Sequence, residues 1–296
     1  MPVSPTPHTP YARELVVAEE AARAAGAFIR SHVGGIEGEA IRDKGIHDLV
    51  TFVDEEAERI ILGHLKDAFP EDDFLGEETA PGEIQHEVEG RRWIVDPLDG
   101  TTNFIHGVPP YAVSIALQDD TDLVVGVVYD VPHDELFAAE AGCGHTLNGR
   151  PAAVSDTADL GDALLATGFP FRDYGFVEGY LETLAGFMRS TRGVRRHGAA
   201  AVDLAWVACG RFDGFFEAGL APWDLAAGVV LIRAAGGLVS GLPRGSNPVF
   251  DGGIVASNNL LHSSMEAGAE PLGRAYESTR IIRQTTSVDR RDQSTQ

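Results

Sequence analysis

Apolar positions first recur at helical spacing over residues 11–33. Leu15, Val16, Ala22, Ala25, Phe28 and Ile29 form one stripe there, and Gly34-Gly35 stops it. A short apolar opening, Leu49–Val53, precedes a second stripe of Ala57, Ile60, Ile61, Leu65, Ala68 and Phe69, which starts at Asp54 and ends at Pro70. The period then shortens to two. FLGEET (74–79) reads as a strand end running into paired glutamates, and Trp93–Val95 as a short strand that breaks at Pro97 and Asp99-Gly100. Residues 111–118, 122–131 and 135–142 alternate and are rich in β-branched side chains. Asp119-Asp120 and Pro132-His133 fall between them, so the pattern predicts an antiparallel meander. Asn148-Gly149 predicts a hairpin turn.

Beyond that turn the pattern predicts a strand over 163–171, a helix over about Val177–Met188, and a further helix led in by residues 195–206. A strand Phe212–Glu217 follows, then a helix from near Asp224 with Ala226, Val229, Val230, Ile232 and Ala235 on its buried face, closed by Gly236-Gly237. A last strand over 252–258 and a short helix over 260–276 complete the order. This is an α/β chain in two halves, 11–146 and 147–276. A proline-rich lead-in (1–10) and a polar tail (277–296) are both predicted to be disordered.

Composition narrows the function classes. A hydrophobic content of 44% over 296 residues supports a large core. No apolar run reaches the length of about 18 residues that a membrane helix needs, and no signal-peptide pattern opens the chain. Cys143 and Cys209 make neither a disulfide framework nor a C-x-x-C pair, so a cytoplasmic protein is expected. A net charge of −22 argues against direct nucleic-acid or membrane binding. It would also repel a phosphorylated substrate unless cations were bound, although an acidic surface serves solubility as well.

The chemistry concentrates in residues 93–104, WIVDPLDGTTNF. Asp96 and Asp99 sit on the strand break, where the turn can offer both carboxylates and the Leu98 carbonyl to one point, as a hard cation such as Mg²⁺ requires. Pro97 fixes its own φ, Gly100 lets the backbone approach a ligand, and a helix opening at Gly100–Thr102 would aim free N–H groups at a phosphate. On spacing alone an ordinary Asp-Gly turn stays open. Asp54 and Asp224 read equally as helix N-caps, and Glu77 as a solvated loop glutamate. The small residues Gly198–Ala201 suit either a ligand or tight helix packing.

The stretch 96–104 resembles the signature of the inositol monophosphatase family of Mg²⁺-dependent phosphatases, Asp-Pro-(Ile/Leu)-Asp-Gly-Thr-x-Asn-(Phe/Tyr), with no departure. The Lys44…Asp-Leu-Val-Thr…Asp54 element, Gly76-Glu77-Glu78, the turn at 142–149 (with His145 and Thr146 departing) and Trp223-Asp224 up to Ala235-Gly236-Gly237 resemble further family elements in the family's order. The resemblance spans about residues 11–262. It implies a fold of alternating helix and sheet layers, two or three Mg²⁺ ions, lithium sensitivity and a homodimer. By the same resemblance Glu77, Asp96 and the Leu98 carbonyl hold one metal, Asp96, Asp99 and Asp224 a second, and a weaker third lies near Glu77. Lys44 lies beside the metals, the attacking water lies near Glu77 and the Thr101 hydroxyl, and Asp54 orients Thr101 and draws off its proton. Backbone N–H groups of Gly100 and Thr101 hold the phosphate. Asp99, Asp224, Gly198, Ala199, Ala200 and Glu217 face the substrate. The implied reaction is hydrolysis of a small phosphorylated metabolite, with inositol 1-phosphate first. Fructose 1,6-bisphosphate, histidinol phosphate and a 3′-phosphonucleotide are alternatives, as is a noncatalytic role beside the transcription or translation machinery. Arg172, Arg195 and Arg196 either meet a second phosphate or lie solvated.

Overall fold

The computed structural model describes residues 10–34, 41–45, 48–80 and 84–293, without the side chains of 41–50 and 284–293. The expected lead-in at 1–10 lies, apart from Pro10, outside the described residues. Helix α1 (Ala12–Ser31) buries Ala18, Ala21, Ala22, Ala25 and Ile29. The hairpin β1 (Ile41–Gly45) and β2 (Asp48–Thr51) leads into α2 (Phe52–Ala68), which buries Val53, Ala57, Ile61 and Leu65 in the same cluster. Lys44 lies on β1, and its side chain falls outside the described residues. Asp54 is not the N-cap of α2. Thr51 takes that place, its Oγ1 accepting the Val53 N–H at 3.1 Å, while Asp54 reaches back from the third helical position to the Thr51 N–H at 2.8 Å. This capping box uses one carboxylate oxygen of Asp54 and leaves the other free.

The seven-stranded sheet follows: β3 (Asp73–Gly76), β4 (Arg91–Asp99), then, after the one-turn helix α3 (Thr101–Ile105), β5 (Ala112–Asp119), β6 (Asp122–Asp130), β7 (Glu135–Glu140), β8 (Gly144–Leu147) and β9 (Arg150–Ala152). Neighbours pair in sequence order, antiparallel except β3 with β4, so the expected meander is present. Trp93, Val95, Val113, Ile115 and Leu117 face α1 and α2, whereas Ile94, Ala112, Ala116 and Val128 face the opposite core. Apolar side chains on both faces require cover on both. The hairpin at Asn148-Gly149 keeps β8 and β9 in this sheet, so the division between the two sheets falls after Ala152, later than the expected 146/147 boundary.

His145 on β8 is 3% exposed and stacks parallel to Phe137, and burial pushes its imidazole down to about 4. A base depressed in the fold disfavours the protonated native state. Stability is therefore complete above the ordinary histidine value of about 6.5 and erodes as pH falls from there toward 4. A His145→Leu variant is expected to lose less stability than the parent between pH 7 and pH 4.5 in denaturant titrations. Equal losses would contradict this account.

The second sheet comprises β10 (Leu164–Thr167), β11 (Gly193–Arg195), β12 (Gly214–Ala218), β13 (Leu238–Gly241) and β14 (Gly253–Ser257), in the order β11-β10-β12-β14-β13. The expected strand 163–171 shortens to β10, because Gly168 and Pro170 leave the ladder. Between the sheets lie α5 (Ala200–Ala208) and α6 (Pro222–Ala234), and both are apolar nearly all round, as helices covered on two sides must be. The outer face of the second sheet is covered by α4 (Val177–Ser190), α7 (His262–Gly268) and α8 (Glu270–Gln293) through Phe187, Met265, Leu272 and Tyr276. The result is five layers, helix-sheet-helix-sheet-helix, as expected. The tail departs from expectation: residues 277–293 are not disordered but continue α8. A helix already nucleated by docked residues extends at low cost even where its sequence is polar.

Candidate active site

Asp96 and Asp99 lie where β4 loses register with β5. The Leu98 N–H donates to Asp96 Oδ1 at 3.0 Å, which aims the first carboxylate inward. The chain then turns through Gly100 at φ +87°, a left-handed conformation only glycine adopts freely, into α3. The helix α6 brings Asp224 to the same point. As with Asp54, Asp224 is the third helical residue rather than the N-cap. It accepts the N–H of Ala221 at 2.7 Å, which holds the carboxylate at the start of the helix. The N–H of Ala201 on α5 donates to Asp99 Oδ2 at 2.8 Å, so that helix start is tied to the same carboxylate.

One oxygen each of Asp96, Asp99 and Asp224 can lie within 4.8 Å of the others. Burial raises the Asp96 carboxyl well above its usual range, and the charges of Glu77, Asp99 and Asp224 raise it further. Asp99 is raised in the same way, by burial and then by Asp224. Among the described side chains, which do not include that of Lys44, no arginine, lysine or histidine is paired with Asp96 or Asp99. A buried cluster of like charges is costly without a cation, and its donors are all oxygen. The residues therefore fit a hard divalent ion such as Mg²⁺, and the Leu98 carbonyl lines the same cavity.

That cavity, about 270 Å³, lies between the two sheets and gathers residues from five segments. It takes in every expected substrate-side residue: Asp99, Gly100, Thr101, Gly198, Ala199, Ala200, Glu217 and Asp224. Glu77 also lines it, with Arg172 Nη2 at 3.9 Å from its Oε1. Thr101 Oγ1 lies 2.8 Å from Asp54 Oδ1, the oxygen that the capping box leaves over, and 3.1 Å from the Leu98 carbonyl. Burial raises Asp54, while hydrogen bonds from Thr51 and Thr101 oppose the shift. Glu217, on β12, is buried and raised well above its usual value by burial and then by Asp203 and Asp224.

Two participants, Asp203 and Asn103, escaped sequence reasoning. Asp203 lines the cavity, is raised by burial to about 6, and accepts from His197, whose Nδ1 lies 2.9 Å away. A lone carboxylate inside the apolar run 199–208 was the available signal. Asn103 Nδ2 donates to the carbonyls of Pro110 and His197, each at 2.8 Å, and so fastens α3 to the segment before α5. Arg196, one of the arginines expected either to meet a second phosphate or to lie solvated, lines the cavity with its guanidinium over Phe169. Gly198 stands at φ +84°, a left-handed conformation in which any residue with a side chain is strained.

The model of the inositol monophosphatase family matches residues 12–274. The inositol-1-monophosphatase of Mesorhizobium japonicum is 42% identical over 259 residues, 87% of this chain and 97% of that protein. The Nus factor SuhB of Escherichia coli is also 42% identical, over 253 residues, 86% of this chain and 94% of that protein. The crystal structure of the extragenic suppressor protein suhB of Bartonella henselae superposes with a TM-score of 0.82 at 40% identity, covering 88% of this chain and 99% of that one. The layered fold, the carboxylate turn ahead of α3 and a match that runs from α1 into α8 lead to one assignment: the chain belongs to the inositol monophosphatase family.

Proposed function

We propose that the protein is a Mg²⁺-dependent phosphomonoesterase whose preferred substrate is inositol 1-phosphate. The observation that carries this reading is the convergence of Asp96, Asp99 and Asp224 beside the Thr101–Asp54 hydrogen bond in one cavity. Glu77, Asp96, the Leu98 carbonyl, Asp99 and Asp224 would hold the ions. Bound there, Mg²⁺ supplies the positive charge that phosphoryl transfer to water requires. The chain does the rest. Thr101 Oγ1 takes a proton from the attacking water and passes its own to Asp54, whose buried carboxylate accepts it readily. Backbone N–H groups of Gly100 and Thr101 face the phosphate oxygens. Gly198–Ala200 lie close against the substrate, and Glu217 accepts hydrogen bonds from hydroxyls of the leaving group. A homodimer belongs to the same reading.

Arg172 and Arg196 line the same cavity, which supports a second reading in which the ester carries another phosphate. The competing roles separate in one panel. kcat/KM for phosphate release is measured with inositol 1-phosphate, fructose 1,6-bisphosphate, histidinol phosphate and a 3′-phosphonucleotide in Mg²⁺. Inositol 1-phosphate is expected to lead the others by about tenfold or more. Preference for the bisphosphate would overturn the substrate assignment and keep the chemistry. Release from none of them, by folded protein that binds Mg²⁺, would overturn the enzyme reading in favour of a binding role of the kind that the name Nus factor carries in relatives.

A further inference from the structure

The family match stops at residue 274, but α8 runs on to Gln293. The residues just past that limit reach two segments that wall the cavity. The Tyr276 hydroxyl donates to the Asp251 carbonyl at 2.9 Å, and Arg280 Nη2 lies 2.5 Å from Asp251 Oδ1. The next residue, Gly252, accepts the N–H groups of Gly219 and Leu220 at 2.8 and 3.1 Å, and Leu220 lines the cavity just ahead of α6 and Asp224. On the other side the Tyr276 ring meets Phe176 edge-on at 5.1 Å, Thr279 packs on Gly175, and Arg283 Nη2 lies 2.9 Å from Asp173 Oδ2. Those three residues end the irregular segment 168–176, which presents Gly168, Phe171 and Arg172 to the cavity.

We propose that Tyr276, Arg280 and Arg283 are positioning residues. They clamp the segments 168–176 and 219–221 from behind, and so set affinity and selectivity for the leaving group. The proposal rests on the phosphatase reading. Irregular segments with few internal bonds open at little free-energy cost, so ties at both ends change how often the wall is in place. Each ion pair is partly solvated and weak alone, but both act on the same wall. The carboxylate turn, α3 and Thr101 follow β4, in the other sheet, and Asp224 is carried by α6 beyond the clamped segment, so the clamp acts on substrate binding more than on the chemical step.

The test uses the full chain with Arg280→Gln and Arg283→Gln combined, and a companion with Lys at both positions. For inositol 1-phosphate, KM is expected to rise about fivefold with kcat held within about twofold, and the Lys companion to recover most of the loss. KM for a small aryl phosphate, whose leaving group makes no hydroxyl contacts with the wall, is expected to stay constant. Amide hydrogen exchange of 168–176 is expected to speed up about tenfold in the Gln variant, a readout that needs no turnover. Unchanged exchange in that segment would overturn the clamp. So would an equal fall in kcat on both esters together with a lower melting temperature, which marks a merely structural helix. If the parent protein hydrolyses neither ester, the phosphatase reading fails while the exchange result still decides the clamp.

Discussion

Asp96→Asn is expected to lower phosphate release by about a thousandfold or more, the scale on which one precisely aimed charge group acts on a transition state, while raising the melting temperature of the metal-free protein. The two effects share one cause. Asp96 is 1% exposed and faces Glu77, Asp99 and Asp224, so its charge is costly in the empty fold and needed for cation binding. Its carboxyl is raised in the folded state, so the native protein binds protons more readily than the unfolded chain. The contribution of Asp96 to metal-free stability is therefore greatest at low pH and falls as pH rises above the ordinary carboxylate value of about 4. Asparagine keeps the Oδ1 that accepts the Leu98 N–H, so the turn survives, and it removes that share of the pH dependence. Phosphate release and thermal unfolding in chelator, at pH 5 and pH 8, check both halves. An Asn variant that retains parental turnover, or that melts lower than the parent at pH 8 without metal, would contradict the site.

Thr101→Ala is expected to lower kcat by about a hundredfold or more, within the range that positioned proton transfer contributes, and to change KM little. The hydroxyl stands 2.8 Å from an Asp54 oxygen, and Asp54 is held independently by the Thr51 N–H and hydroxyl at 2.8 and 2.6 Å. Removing the hydroxyl therefore leaves the carboxylate in place but cuts it off from the cavity. Thr101→Ser, which keeps the hydroxyl, is expected to recover most of the activity. Single-turnover and steady-state kinetics on the three proteins decide it. A kcat within twofold of the parent in the Ala variant would remove Thr101 and Asp54 from the proton path.

Much of this site was legible because the carboxylate turn is local. A strand that breaks at Asp-Pro-Leu-Asp-Gly into a helix is written in consecutive residues, and β4, Gly100 and α3 follow that order. The meander was legible for the same reason, since its turns and alternation are adjacent. The caps were half legible. An Asp at a helix start announces the start, but whether it is the cap or the third residue depends on where the chain leaves the extended region. At α2 that is Thr51, and at α6 Ala221. The site's other groups depend on tertiary placement. Arg196 enters the cavity over Phe169 from a segment whose sequence leaves a phosphate contact and a solvated arginine pair both open, and Asp203 enters because α5 is enclosed by two sheets. The extension of α8 was least legible. Its composition is that of a solvated tail, and the bonds that tie it down, from Arg280 to Asp251 and from Arg283 to Asp173, join residues distant in sequence.

The most direct test of the central claim is the Mg²⁺ dependence of phosphate release from inositol 1-phosphate, followed from excess chelator to millimolar Mg²⁺ with the parent and Asp96→Asn side by side. The carboxylate cluster predicts no release by the parent in chelator, saturable release as Mg²⁺ is added, and about a thousandfold less from the variant at every concentration. Release by the parent that persists in chelator, or that is equal in the two proteins, would contradict it.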